Sequence, residues 1–138
     1  MIKRVTFLPL SVLIMSNIAF AQYYIGNTSE QIIGLIQEKA TMITKNYDEN
    51  GQLKLSWIEN EDVKYVVYFD GELSFKTYII PLYERTFIQW YRVIDGTLPR
   101  AQGKTNTWLS YTKTGAFQLK LVYYPGSNVK CFDITKLE

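Results

Sequence analysis

Apolar residues recur along this chain with two periods. Between Tyr83 and Ile94, and again after Asn27, they fall every three or four positions; from Leu53 to Ile80 and from Thr107 onward they alternate with polar residues. The most regular stretch is Val63 to Ile80, VKYVVYFDGELSFKTYII, rich in β-branched and aromatic residues around Asp70-Gly71. It predicts a hairpin. A two-residue loop Asp70-Gly71 would set Val67 against Ser74 and Tyr65 against Lys76. A three-residue loop Phe69-Asp70-Gly71 sets Val67 against Leu73, Tyr65 against Phe75 and Val63 against Thr77. The second choice makes one face almost wholly apolar and gives Gly71 the left-handed position of a type I turn with a bulge, so it is the register expected.

The same parity argument extends to the C-terminal strands. A three-residue loop Lys113-Thr114-Gly115 pairs Tyr111 with Phe117, Leu109 with Leu119 and Thr107 with Leu121. A four-residue turn Pro125-Gly126-Ser127-Asn128 then sets Leu121 against Phe132 and Leu119 against Ile134. Upstream, Leu53, Leu55 and Trp57 alternate with Lys54 and Ser56 and predict a strand of their own.

Two helices complete the pattern. Thr28 with Gln31 three residues later has the form of a capping box, and Ile32, Leu35, Ile36, Ala40 and Ile43 follow at helical spacing. This predicts a helix from about Ser29 to Asn46, ended by Asp48-Glu49-Asn50-Gly51. Pro81 stops the sheet and opens a second helix carrying Tyr83, Phe87, Trp90, Tyr91 and Ile94, closed by Gly96. The polar stretch Thr97 to Asn106 is a loop. The predicted fold is therefore α+β, in the order αβββαβββ, an antiparallel sheet with two helices packed on one face.

The first residues read differently. Lys3 and Arg4, the apolar run Val5 to Ile18 and the small-x-small group Ala19-Phe20-Ala21 form a signal peptide over residues 1–21, removed before Gln22. The competing reading, an uncleaved anchor, is disfavoured by the short run and by Pro9. Removing 21 of 138 residues leaves 117, a single domain over residues 22–138. Loss of Lys3 and Arg4 takes the 15 basic residues to 13, against 13 acidic ones. A neutral mature chain lacks the basic excess that nucleic acid or an anionic membrane would require. The expected location is secreted or periplasmic, with no transmembrane segment after cleavage.

Candidate chemistry is sparse. The chain has no histidine, which removes the usual nucleophile–base pairs and most transition-metal sites. Cys131 is the one cysteine, so no intrachain disulfide forms, and it reads as a small apolar strand residue. Glu59, Glu61 and Asp62 read as a solvated acidic turn, and Glu84 and Asp95 are about three helical turns apart, too far for a dyad. No cofactor, metal or catalytic residue is expected.

From Gly26 to Pro81 the chain resembles small exported bacterial proteins: Gly26-Asn27-Thr28-Ser29-Glu30 leads into Ile32, Ile33 and Ile36 and then into aromatic hairpin strands. That order is similar to the folds of β-lactamase inhibitor protein and of small outer-membrane assembly lipoproteins. The resemblance implies an exported helix-plus-antiparallel-sheet domain.

What remains is the sheet face turned away from the helices. It is expected to carry Tyr68, Lys76 and Tyr78 on the first hairpin, and Trp108, Lys120, Val122 and Tyr124 on the later strands, with Arg100 and Lys104 as a charged rim. Aromatic rings beside lysines suit a protein or glycan partner. The expected function is a small non-enzymatic binding protein. The alternative is a carrier of a lipid or other apolar molecule held between helices and sheet, and an enzyme that works without histidine is the less favoured third reading.

Overall fold

A computed structural model describes residues 9–137. Lys3 and Arg4, the positive start of the expected signal peptide, lie outside the described residues. The chain folds as α1 (Leu10–Tyr24), α2 (Ser29–Ile36), β1 (Ala40–Tyr47), β2 (Leu53–Glu59), β3 (Val63–Asp70), β4 (Leu73–Pro81), α3 (Glu84–Thr97), β5 (Thr107–Thr112), β6 (Gly115–Tyr123) and β7 (Lys130–Lys136). The strands form one antiparallel sheet of seven, in the order β1-β2-β3-β4-β7-β6-β5. Chain order runs as a four-strand meander; α3 then carries the chain to the far edge, and β5, β6 and β7 return to pair with β4. The α+β class and the helices on the sheet are as the hydrophobic pattern predicts.

The expected first helix is cut short. Its start is the predicted capping box: Gln31 N donates to Thr28 Oγ1 at 3.3 Å and Thr28 N to Gln31 Oε1 at 2.9 Å. Beyond Ile36, however, Ala40–Tyr47 is the edge strand β1 rather than a helical continuation. Thr41, Ile43 and Thr44 are β-branched, and β2 offers an unpaired edge, so the ladder wins over the helical spacing of Ala40 and Ile43. The first half thus has four strands, not three.

Two of the three expected registers shift. β3 and β4 close with Gly71-Glu72 between Asp70 and Leu73, and a bulge between Tyr68 and Phe69 opposes Phe75 to no partner; Val67 then faces Thr77 and Tyr65 faces Ile79. The bulge turns Ser74 inward, where its hydroxyl donates to Tyr24 O, and leaves Leu73 and Phe75 exposed. Gly71, at φ +62°, opens this loop in the left-handed conformation. In the second hairpin, Thr112 pairs with Gly115 around Lys113-Thr114, so Trp108 faces Leu119 and Ser110 faces Phe117. This one-residue slip moves Trp108 into the core and sends Leu109 and Tyr111 to the other face. The β6–β7 register is the expected one, with Leu121 against Phe132 and Leu119 against Ile134.

The core lies between the sheet and the helices. Leu55, Trp57, Tyr65, Val67, Ile79, Phe117, Leu119, Phe132 and Ile134 rise from the strands to meet Ile32 and Ile36 of α2 and Trp90 and Ile94 of α3. Phe87 stacks on Phe132 at 5.6 Å, and Tyr91 meets the edge of Trp108 at 5.7 Å. α1 belongs to this layer too, burying Ile14, Ile18, Ala21 and Tyr24 in the same core. No helix among the described residues is long and apolar enough to cross a membrane.

The short α2 depends on its cap more than a longer helix would. Thr28→Ala is expected to lower stability by about 1 kcal/mol in urea denaturation. A loss of a few tenths or less would show that burial of Ile32 and Ile36 alone holds the helix.

Candidate interaction face

The far side of the sheet is built by strand parity. The register lays two rows of side chains across it: Lys54, Tyr68, Lys76, Thr135, Gln118 and Leu109 in one, and Ser56, Val66, Tyr78, Asp133, Lys120 and Thr107 in the next. No helix among the described residues covers these rows, yet their middle is not wet. Val66, Tyr78, Ile80 and Cys131 are buried together, with Tyr68, Val122 and Tyr124 packed against them.

Three tyrosines make the cover. Tyr78 meets both Tyr68 and Tyr124 edge to face, at 5.5 and 5.3 Å. The Tyr68 and Tyr124 hydroxyls lie 3.0 Å apart although β4 and β7 separate β3 from β6, just past whose end Tyr124 lies. The two rings therefore lean toward one another and span the central strands. Burial raises all three groups beneath or within this cover that lose charge-stabilising water. Tyr68 is pushed above the ordinary tyrosine range by burial and then by its bond to Tyr124. Tyr78 is pushed up to about 12 by burial and then by Asp133, and the Cys131 thiol likewise to about 12 by the same two causes in that order. Cys131 is thus a neutral, buried thiol, in keeping with its reading as an apolar strand residue.

Beside the tyrosines sits a charged pair. Lys76 Nζ lies 3.4 Å from Asp133 Oδ2, and the ammonium is also 5.6 Å from the Tyr78 ring centroid. Asp133 Oδ1 is buried with no hydrogen-bond partner among the described residues. Its carboxyl is accordingly raised by burial, with Lys76 and then Lys120 pulling the other way. Lys120 stands directly across from Asp133 in the ladder. It also lines an open cavity of about 390 Å³ with Lys104, Thr105, Thr107, Gln118 and Gly103.

Of the residues singled out in the sequence, Tyr68, Lys76, Tyr78, Lys120, Val122 and Tyr124 share this face, and Lys104 borders it at the cavity. Trp108 and Arg100 do not. Trp108 is fully buried on the helix side, where its Nε1 donates to Asp95 Oδ1 at 3.0 Å. Arg100 is held there as well: its Nε donates to Asp95 Oδ1 at 2.7 Å, and its guanidinium lies 5.8 Å from the Trp108 ring. Bonds from Arg100 and Trp108 hold the Asp95 carboxyl below its usual range. An indole needs a deep apolar seat and an acceptor for its N–H, and α3 supplies both; an exposed register would leave them empty.

Asp133 and Tyr111 are among the residues of the face that the sequence pattern does not single out. Asp133 was available from the β6–β7 register, which sets it opposite Lys120 two places along from Val122 and Cys131. Tyr111, 71% exposed, comes to this face through the same slip that removes Trp108. Glu59 also departs from expectation. It is buried rather than solvated, accepting from Trp57 Nε1 at 2.7 Å with Lys39 Nζ at 3.8 Å, while Glu61 remains exposed in the turn.

The raised Asp133 carboxyl binds its proton more tightly folded than unfolded, so its contribution to stability falls as pH rises through the folded value and grows on acidification. Relative to the Asp133→Asn variant, wild type is expected to gain melting temperature as pH is lowered from 7 toward the unfolded carboxylate range near 4. A constant difference would mean that Lys76 fully offsets the burial. A double-mutant cycle of Tyr68→Phe and Tyr124→Phe should give a coupling of about 0.5–1.5 kcal/mol; zero would mean that the two hydroxyls contribute independently.

Compared with protein-family models, curated proteins and solved structures, this chain matches none.

Proposed function

We propose that this protein is an exported, non-enzymatic binding module, secreted or periplasmic, that engages a protein or glycan partner through the outer face of its sheet. The observation that carries this reading is the convergence, on a face free of helices, of Tyr68, Tyr78 and Tyr124 with Lys76, Asp133 and Lys120. The half-buried rings of Tyr68 and Tyr124, held by packing on Tyr78, offer contact area at little conformational cost, and the flanking charges supply orientation. The cavity at Lys104 and Lys120 gives this face a basic border, and Tyr111 is exposed separately on the edge strand β5.

Two features support recognition over the alternatives. Ile32 and Ile36 of α2 and Trp90 and Ile94 of α3 fill the space between those two helices and the sheet, which favours a surface binder over a carrier of apolar molecules there. Absence of histidine favours a non-catalytic role.

The reading is tested by capture from the native envelope or medium with the tagged protein, and in parallel on a glycan array. Tyr124→Ser with Lys120→Glu is expected to reduce partner recovery at least about tenfold, a loss of about 1.4 kcal/mol or more, while the thermal melt stays cooperative. Lys120→Glu alone should change chiefly the salt dependence of association. Unchanged recovery in the double variant, with the fold intact, would remove this face as the site.

A further inference from the structure

The expected leader and the observed core overlap in α1. Cleavage after Ala21 would take away Ile14, Ile18 and Ala21, which are buried at 2, 1 and 0% exposure against β4, β7 and α3. We propose that the trough so vacated is a second binding site in the mature protein, and that its occupant is an apolar α-helical segment of a partner protein. This inference rests on the export reading above, in which residues 1–21 are removed.

Four observations carry it. First, the bed is shaped for a helix: the part of α1 that leaves, Leu10 to Ala21, is 12 residues long, about 18 Å, and carries no charged residue. Second, the Ala21–Gln22 bond lies within that helix with Ala21 0% and Gln22 3% exposed. A peptidase cannot reach it there, so removal of the leader precedes docking of α1, and the domain closes with the bed empty.

Third, the end of the trough stays built after cleavage. Tyr24 remains in the core against Trp57, and the chain beyond it is pinned to β4, with Gly26 N donating to Ser74 O at 2.9 Å and Ser74 N to Asn27 O at 3.0 Å. Fourth, a buried donor at that end is left over: Thr77 Oγ1 donates to Ala21 O at 3.2 Å and loses this acceptor on cleavage. The last four carbonyls of a helix are the acceptors such a donor requires. An acyl chain has no such row of carbonyls and would fill only part of a bed cut for a cylinder about 10 Å across.

The test starts from the full chain, expressed in an exporting bacterium and recovered from the exported fraction, with its intact mass determined. The probe is a synthetic peptide of residues 9–21 bearing a fluorophore and a solubilising lysine tail. Saturable anisotropy is expected, with affinity reduced at least about tenfold when the peptide carries Ile14→Asp and Ile18→Asp. Thr77→Val in the protein should weaken the same peptide severalfold, and the altered peptide serves alone if that variant does not fold. Non-saturable binding, equal affinity for the altered peptide, or displacement of the probe by palmitate would overturn the helix site, the last in favour of an acyl ligand. A product of the cleaved mass that ignores the peptide overturns the trough alone. A product that retains residues 1–21 overturns the cleavage reading and the vacated site together.

Discussion

The pairing of β4 with β7 is the contact on which everything else depends. It joins the four-strand meander to the three strands that follow α3, and it brings together residues about 55 positions apart, such as Ile79 with Phe132 and Tyr78 with Asp133. One register therefore fixes both sides of the sheet. Ile79 and Phe132 give the helices their floor, while Tyr78 and Asp133 place an aromatic ring and a carboxylate side by side on the opposite face. A slip of one residue in this ladder would exchange the two faces along its length, so the core and the candidate interaction surface are specified by the same hydrogen bonds.

Much of this was legible in the sequence. The capping box at Thr28 and Gln31, the α3 stripe of Phe87, Trp90, Tyr91 and Ile94, and the β6–β7 register all follow from local spacing, because each depends on residues near one another in the chain. The failures share a cause. Choosing a three-residue loop at Lys113-Thr114-Gly115 maximised apolar matching between two strands, but the burial of Trp108 is decided by Asp95 and Tyr91 on a helix that the strand pattern does not contain. Likewise, the bulge at Phe75 sets Ser74 where its hydroxyl donates to Tyr24 O, a contact 50 positions away in the chain that the parity of two strands does not contain. β1 was missed because spacing alone cannot tell a weak helix from an edge strand when Thr41, Ile43 and Thr44 satisfy either.

The far face shows how a sheet with helices on only one side can still bury polar groups there. Tyrosine is suited to this, since its ring covers apolar neighbours while its hydroxyl finds a partner at the rim. Cys131, Val66 and Ile80 are covered by rings rather than by another layer of backbone. Asp133 is the exception, a buried and incompletely partnered carboxyl, and its neighbours Lys76 and Lys120 partly offset the cost of its burial.

β1 has a consequence of a different kind. It is a sheet edge of eight residues, almost all exposed, and such an edge offers unpaired amide and carbonyl groups to any other chain. Its ladder is interrupted between Thr41 and Thr44, where Met42 adopts φ 55°. A foreign strand laid along this edge finds an unbroken row only from Thr44 to Tyr47, with Lys45 among those residues. That is too short a template for stacking copies of the chain into a fibril, and the kink at Met42 thereby works as a colloidal safeguard for a protein that has neither disulfides nor a large net charge to keep its copies apart.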